Sequence, residues 1–277
     1  MTAYLPRPPQ PGARVRLVCF PYAGGGASAY ARWQRGLTDR GAAVDVLPIR
    51  LPGREGRAGE PRITELAALT AELDESLSEV LDRPHLLYGH SMGALIAYEL
   101  IRRRQQRGAR LPRAALLAAY RAPHLPPPRI GTTVAGDVDG GGNTDAELAQ
   151  ALADLGGLPP LLLDHPEWLR ALLPVVRDDL ALCAGPVSRP VPVPVPLHLF
   201  AGRDDELAGE AEVGAWRRYG ARGCELRTVP GGHFFLRTHE EALLDEVARV
   251  VRRYEAEEHT AHPSRTAPCS APAATRA

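Results

Sequence analysis

Lysine is missing from this 277-residue chain: all 33 basic residues are arginine, and 33 acidic residues balance them to a formal net charge of zero. Without a net field, nothing steers the chain toward nucleic acid or an anionic membrane, and no basic stripe supports a nucleic-acid role. Abundant alanine, glycine and proline make the all-arginine usage a sign of codon bias rather than of design for phosphate binding. Neither G-x-x-x-x-G-K-[ST] nor G-x-G-x-x-G occurs, which weakens a nucleotide-binding reading. Cysteine is scarce too. Cys19, Cys183, Cys224 and Cys269 are scattered, with no C-x-x-C and no His/Cys cluster at zinc spacing, so no metal site or disulfide framework is expected. Reduced, cytoplasmic thiols are the expectation, with Cys183 a small apolar filler rather than a second nucleophile. No apolar run reaches bilayer length, and the opening MTAYLPRPPQPG lacks the apolar segment of a signal peptide.

What is present is an α/β rhythm. With 44% hydrophobic residues the chain can bury a full core. Short apolar runs at Val15–Phe20, Val44–Ile49, Leu86–Tyr88, Ala114–Ala119, Leu197–Ala201 and Glu225–Val229 read as strands. Between them, helical spacing is carried by Tyr30, Trp33 and Leu37, by the leucines of Thr64–Leu81, by Ala94–Ile101, and by Val213 and Trp216 in Ala208–Tyr219. Strands alternating with helices predict a mostly parallel central sheet covered on both faces. From about Arg121 to Pro196 the rhythm breaks and no convincing strand is expected. Two helices are expected there, Thr144–Leu155 and Asp164 to about Ala184, each opened by a capping box (Thr144 with Glu147, Asp164 with Glu167) and the second kinked or split at Pro174. A third box, Thr238 with Glu241, should cap a last helix reaching Tyr254. The predicted organisation is a flexible arm over 1–14, a core from 15–122 and 190–255, a helical lid over 123–189, and a disordered tail over 256–277.

The chemistry centres on Gly89-His90-Ser91-Met92-Gly93, a G-x-S-x-G turn with a strand before it and a helix after it. A serine on such a turn projects above the sheet beside the positive end of the helix. It needs a base, and the base needs an orienting acid. In the α/β-hydrolase order Ser, Asp, His, each on a loop after a strand, Asp205 and His233 stand in the right places. Asp205 is favoured over Asp204 because the acid usually ends a G-x-x-D. His90 reads as structural; His124, His165 and His198 lack the loop-after-strand setting. The glycines of Tyr22-Ala23-Gly24-Gly25-Gly26 mark either a plain turn or a loop whose Ala23 N–H joins that of Met92 in an oxyanion hole. The apolar surplus of the lid has two equal readings, packing on the core or lining an acyl cavity.

Phe20-Pro21-Tyr22-Ala23-Gly24-Gly25, Leu51-Pro52-Gly53-Arg54, Gly89–Ala94, Gly202-Arg203-Asp204-Asp205 and Gly231-Gly232-His233-Phe234-Phe235 together resemble the type II thioesterases, editing enzymes of polyketide and nonribosomal peptide synthesis. The resemblance covers roughly Val15–Tyr254. It implies an α/β-hydrolase that removes acyl groups from the phosphopantetheine thiol of acyl or peptidyl carrier proteins. Ser91 would be the nucleophile, with no metal or cofactor of its own, in a cytoplasmic monomer. Alternatives on the same residues are a chain-releasing thioesterase or acyltransferase, a small-molecule carboxylesterase, and a non-catalytic carrier-binding module. Arginines such as Arg50 or Arg54 are candidates for docking the carrier.

Overall fold

Parallel strands buried on both faces need continuous apolar runs, and the runs of this chain pair in that way. The computed structural model describes residues 2–126, 129–130, 133–134, 144–185 and 190–261. In chain order the strands are β1 (Val15–Phe20), β2 (Val44–Pro48), β3 (His85–His90), β4 (Ala115–Ala118), β5 (Arg129–Ile130), β6 (Thr133–Val134), β7 (Leu197–Gly202) and β8 (Cys224–Val229). Six of them form a parallel sheet in the order β2-β1-β3-β4-β7-β8, while β5 and β6 make a separate two-residue antiparallel ladder. The helices are α1 (Trp33–Asp39), α2 (Leu66–Ser76), α3 (Ser78–Leu81), α4 (Met92–Gln106), α5 (Asp145–Asp154), α6 (Pro166–Ala184), α7 (Glu210–Gly214), α8 (Phe235–Thr238) and α9 (Glu240–Ala261).

Side chains alternate across the sheet and so divide the core in two. Leu17, Cys19, Leu86 and Tyr88 face Trp33 and Leu37 of α1 and Leu243 and Val247 of α9. Val18, Phe20 and Leu87 face Leu69 and Leu73 of α2 and Leu95 of α4. A third, smaller cluster holds the lid together: Leu148, Ala149 and Leu152 of α5 meet Leu173 and Val176 of α6, with Leu207 from the core side. Much of the lid's apolar surface is therefore spent on its own packing. Among the described residues no helix is long and apolar enough to cross a membrane.

Several local expectations change. The N-terminal residues expected as a flexible arm are docked: Tyr4 and Leu5 are buried, and the Tyr4 hydroxyl donates to Glu72 at 2.6 Å beneath the Arg57 guanidinium. Arg7 pairs with Asp45 at 2.6 Å and donates to the Val46 carbonyl at 2.7 Å. Gln34 meets both the Val44 carbonyl and the Val46 N–H. These contacts cover the outer edge of β2, which would otherwise offer an unpaired ladder to another chain. The capping box at Thr144 forms, but the other two do not. Asp164 ends a 3-10 turn and α6 starts at Pro166; Thr238 closes α8, its hydroxyl turned back to the Phe234 carbonyl. Pro174 lies inside α6 without splitting it. Ser28–Arg40, Thr64–Leu81 and Ala208–Tyr219 each divide into two shorter helical pieces. The last helix runs through Ala261, past the expected start of the tail, and positions 262–277 lie outside the described residues. So do 127–128, 131–132, 135–143 and 186–189 of the expected lid, including the glycines at 140–142.

Three of the buried histidines resist protonation. Burial pushes His85 down to about 4, His90 to about 3 and His198 to about 4. Their unfolded pKa is about 6.5, so below that value the unfolded chain binds protons that the folded chain refuses. Their contribution to stability is complete above about 6.5 and falls as the pH drops toward 4, by up to about 1.4 kcal/mol per histidine per pH unit. The melting temperature is therefore expected to fall steeply between pH 7 and pH 5. A flat profile across that window would show that these rings are protonated in the folded protein.

Candidate active site

β3 ends at His90 and α4 begins at Met92, leaving Ser91 as the single residue of the turn. Its backbone sits at φ 53° and ψ −120°, a region costly for a residue with a side chain. Two hydrogen bonds hold it there: Ser91 N–H donates to the Ala118 carbonyl and Ala94 N–H to the Ser91 carbonyl, both at 2.8 Å. Close approach explains the flanking glycines. A Cβ on Gly89 would overlap the Gly93 carbonyl, and one on Gly93 would overlap the Phe20 carbonyl of the neighbouring strand.

The loops after β7 and β8 bring the other two groups to the serine. His233 Nε2 stands 3.0 Å from Ser91 Oγ. Its Nδ1 lies 3.0 and 3.2 Å from the two oxygens of Asp205. A carboxylate only accepts, so Nδ1 carries the proton and Nε2 is left free to accept from the serine hydroxyl. Asp205 Oδ1 also accepts the N–H groups of Leu207 and Ala208, each at 2.9 Å. Burial pushes the Asp205 carboxyl up, but the His233 hydrogen bond and charge and the two amides outweigh it and hold it below the usual range. Asp204 is exposed, and its N–H is spent on the Gly231 carbonyl, which tightens the two loops together. The structure thus brings Ser91, Asp205 and His233 into one chain of hydrogen bonds and leaves Asp204, His124 and His165 outside it.

His90 has a supporting place. Its ring is fully buried, stands edge-on to Phe235, and donates from Nε2 to the backbone carbonyl of His233 at 2.8 Å. Neutral at physiological pH, it braces the loop that carries His233 without adding charge beside it.

Above Ser91 and His233 lies a narrow cavity of about 20 Å³, bordered by Ala23, Tyr120, Leu152, Leu180 and Cys183 among others. Ala23 comes from the glycine loop after β1, and Met92 is the first residue of α4, beside Ser91. Of the two readings weighed in the sequence, packing on the core or lining a cavity, Leu152 and Leu180 meet the second, while Leu148 and Leu173 pack within the lid itself. Cys183 is part of that wall; burial and the nearby Asp179 raise its thiol pKa well above the ordinary range, so it stays a neutral thiol. A separate, wider groove of about 580 Å³ runs between Gly24–Gly26 and the first half of α6, where Trp168 is exposed.

Arg54 requires a correction. Expected at the surface for docking, it is only 8% exposed and makes a two-pronged contact with Asp179 of α6, both distances 2.7 Å. A guanidinium closed in this way is not presented to a partner. Asp179 is the last residue of an R-x-D in the lid helix (Arg177 to Asp179), a pattern that gives no hint of its partner. Arg50 is half-buried at the mouth of a different groove, beside Glu55 and Arg7.

Several proteins similar to this chain are named as thioesterases of biosynthetic pathways. The family model for the thioesterase domain matches residues 15–253. The gramicidin S biosynthesis protein GrsT of Aneurinibacillus migulanus is 31% identical over 87% of this chain and 90% of its own. The linear gramicidin dehydrogenase LgrE of Brevibacillus parabrevis is 34% identical, over 87% and 89%. Among solved structures, the RedJ thioesterase from the prodiginine pathway of Streptomyces coelicolor superposes with a TM-score of 0.76 at 36% identity, covering 89% of this chain and 94% of RedJ. The type II thioesterase BorB from the borrelidin cluster gives 0.75 at 33%, covering 90% and 96%.

The crowding around the serine turn can be measured. Gly93→Ala should lower stability by roughly 1–3 kcal/mol, because the atom it meets is backbone and cannot rotate away. Gly59→Ala, at an exposed site with open space around its Cβ, should stay within about 0.5 kcal/mol of wild type. Equal urea midpoints for the two variants would refute the close approach of β1 and the turn.

Proposed function

The chain belongs to the thioesterase family, and from that premise we propose that it hydrolyses acyl thioesters held on the phosphopantetheine arm of acyl or peptidyl carrier proteins, as an editing type II thioesterase. The observation that carries this reading is the continuous hydrogen-bonded line from Asp205 through His233 to Ser91, opening into a cavity that Ala23 borders. Printed names of the similar proteins, among them the type II thioesterases BorB and YbtT, support the substrate class. LgrE's name describes a dehydrogenase, but the thioesterase match of this chain and its lack of a G-x-G-x-x-G loop favour hydrolysis here.

In the proposed reaction, Ser91 Oγ attacks the thioester carbonyl carbon while its proton moves to His233 Nε2. Asp205 holds the ring in the right tautomer and stabilises the imidazolium. In this reading the carbonyl oxygen becomes an oxyanion that the amides of Ala23 and Met92 stabilise, the latter with the positive end of α4 behind it. The C–S bond breaks and the carrier's thiolate leaves, taking the proton from His233. A thiol has a far lower pKa than an alcohol, so this departure asks little acid help. Water then gives a proton to His233 as it attacks the acyl-serine. Collapse of that second intermediate returns the proton to Ser91 Oγ and releases a carboxylic acid.

The reaction needs no cofactor of its own, since the pantetheine arrives with the partner. Ser91, His233, Asp205 and the amides all come from one chain, which supports a monomer as the active unit. The partner class, carrier domains of a synthase, supports action in the cytoplasm. The type II thioesterases among the similar proteins support removal of misplaced groups rather than release of product.

Mass spectrometry of acetyl- and propionyl-loaded carrier proteins tests the reading. Wild type should strip the acyl group, and Ser91→Ala should fall to the uncatalysed background. If the two release acid equally slowly, hydrolysis at Ser91 is wrong. A finished chain released faster than acetyl, or an aryl ester preferred over the carrier thioester, would point to the chain-releasing or carboxylesterase alternative. In the same assay Asp205→Asn should lower kcat by about 10³- to 10⁴-fold, and Asp204→Asn should remain within about twofold of wild type. The reverse ranking would move the acid role to Asp204.

A further inference from the structure

The motif Leu51-Pro52-Gly53-Arg54 has no part in the reaction just described, yet its arginine is buried behind the glycine loop. That loop is a tight turn, closed by the Gly25 N–H donating to the Tyr22 carbonyl at 2.9 Å, with Gly24 at φ 77°. A glycine at this position is what a turn with a left-handed third residue requires. Ala23 is the second residue of the turn and borders the cavity over Ser91.

Two backbone groups of the turn are held from outside it. Asp179 Oδ2 accepts the Gly24 N–H at 2.7 Å, and Arg54 Nη1 donates to the Gly25 carbonyl at 2.9 Å. Asp179 and Arg54 are joined to each other by two further bonds of 2.7 Å. The same helix face presses on the turn with Val176, whose side chain occupies the space a Cβ on Gly24 would need. Val176 and Asp179 are three residues apart, the spacing that puts two side chains on one side of a helix.

A buried ion pair is a poor explanation of stability by itself, since apolar residues of similar volume often do as well. This pair does something apolar residues cannot do: its spare hydrogen-bonding capacity is used on the Gly24 N–H and the Gly25 carbonyl. We infer that Arg54 and Asp179 are positioning residues for the oxyanion loop, a clamp that fixes the turn so that the Ala23 N–H stands ready over Ser91. The inference rests on the hydrolase reading above and extends it to two residues that touch no substrate. Because Asp179 belongs to α6 and Arg54 to the loop after β2, the clamp also ties the lid helix and the core to the same turn.

The test uses the full-length protein, the acetyl thioester of N-acetylcysteamine as substrate, and an alkyl trifluoromethyl ketone as inhibitor. The ketone adds to Ser91 as a tetrahedral alkoxide, so its affinity reports the oxyanion donors directly. Asp179→Asn is expected to lower kcat by about 10- to 100-fold with KM within about twofold, and to weaken the ketone by the same factor. The double variant Arg54→Met/Asp179→Leu removes both charges at similar volume. It should melt near wild type and show the same parallel losses, which decides the matter if the single variant does not fold. A folded double variant with wild-type kcat and wild-type ketone affinity overturns the clamp. So does a fall in kcat without a matching loss of ketone affinity, and so does failure of both variants to fold, which makes the pair an element of stability alone. A wild type inert toward the thioester instead sinks the hydrolase reading, and this inference with it.

Discussion

A strand that passes into a helix through one residue leaves that residue no ordinary backbone conformation. Ser91 accepts a positive φ so that β3 can end and α4 begin within a single peptide unit. Such strain persists only where the surroundings over-determine it. Here they do so through the amide bonds to Ala118 and from Ala94, and through the absence of side chains at Gly89 and Gly93. Much of the neighbouring geometry follows. β1 can approach because Gly93 has no Cβ, and the loop after β1 therefore lies beside the serine.

Around that point, polar groups are arranged so that each ring nitrogen has one task. Asp205 is buried but satisfied by two amides as well as by His233, so it can stay ionised in an apolar setting. His90, a neighbour of the serine in sequence, is kept neutral and faces the main chain of His233 rather than its ring nitrogens. A neutral ring braces the loop and brings no second charge beside the base. The site therefore contains two buried histidines with different duties, distinguished by the partner each one meets.

Period and punctuation made the sheet legible. The six runs read as strands pair in one parallel sheet; the inner ones are apolar on both faces, whereas the edge strand β8 carries Glu225, Arg227 and Thr228 and only its Val229 is fully buried. Ser91, Asp205 and His233 were legible because each follows a strand in the chain order of an α/β-hydrolase. Local capping was less so: Thr144 forms its box, whereas Asp164 and Thr238 are drawn into preceding turns, an outcome that tertiary packing decides. The first residues misled for a related reason. Their prolines suggested a free arm, but Tyr4, Leu5 and Arg7 find partners on α2, the loop after β2, and β2 itself, contacts between segments distant in sequence. Arg54 and Asp179 lie 125 positions apart, and no spacing rule joins residues at that range.

The attachment of α6 to the glycine turn has a consequence for modular engineering. The lid invites exchange as a cassette, since in this chain it is a single insertion between β4 and β7. In this protein the boundary of such a cassette does not coincide with the boundary of the interaction. A donor helix must bring a carboxylate to the place of Asp179, or the recipient loop must give up its guanidinium at Arg54. An exchange that ignores this match leaves a buried cation facing the turn, and alters the reacting centre while intending to alter only the roof. The useful unit of recombination is the lid together with the loop that follows β2.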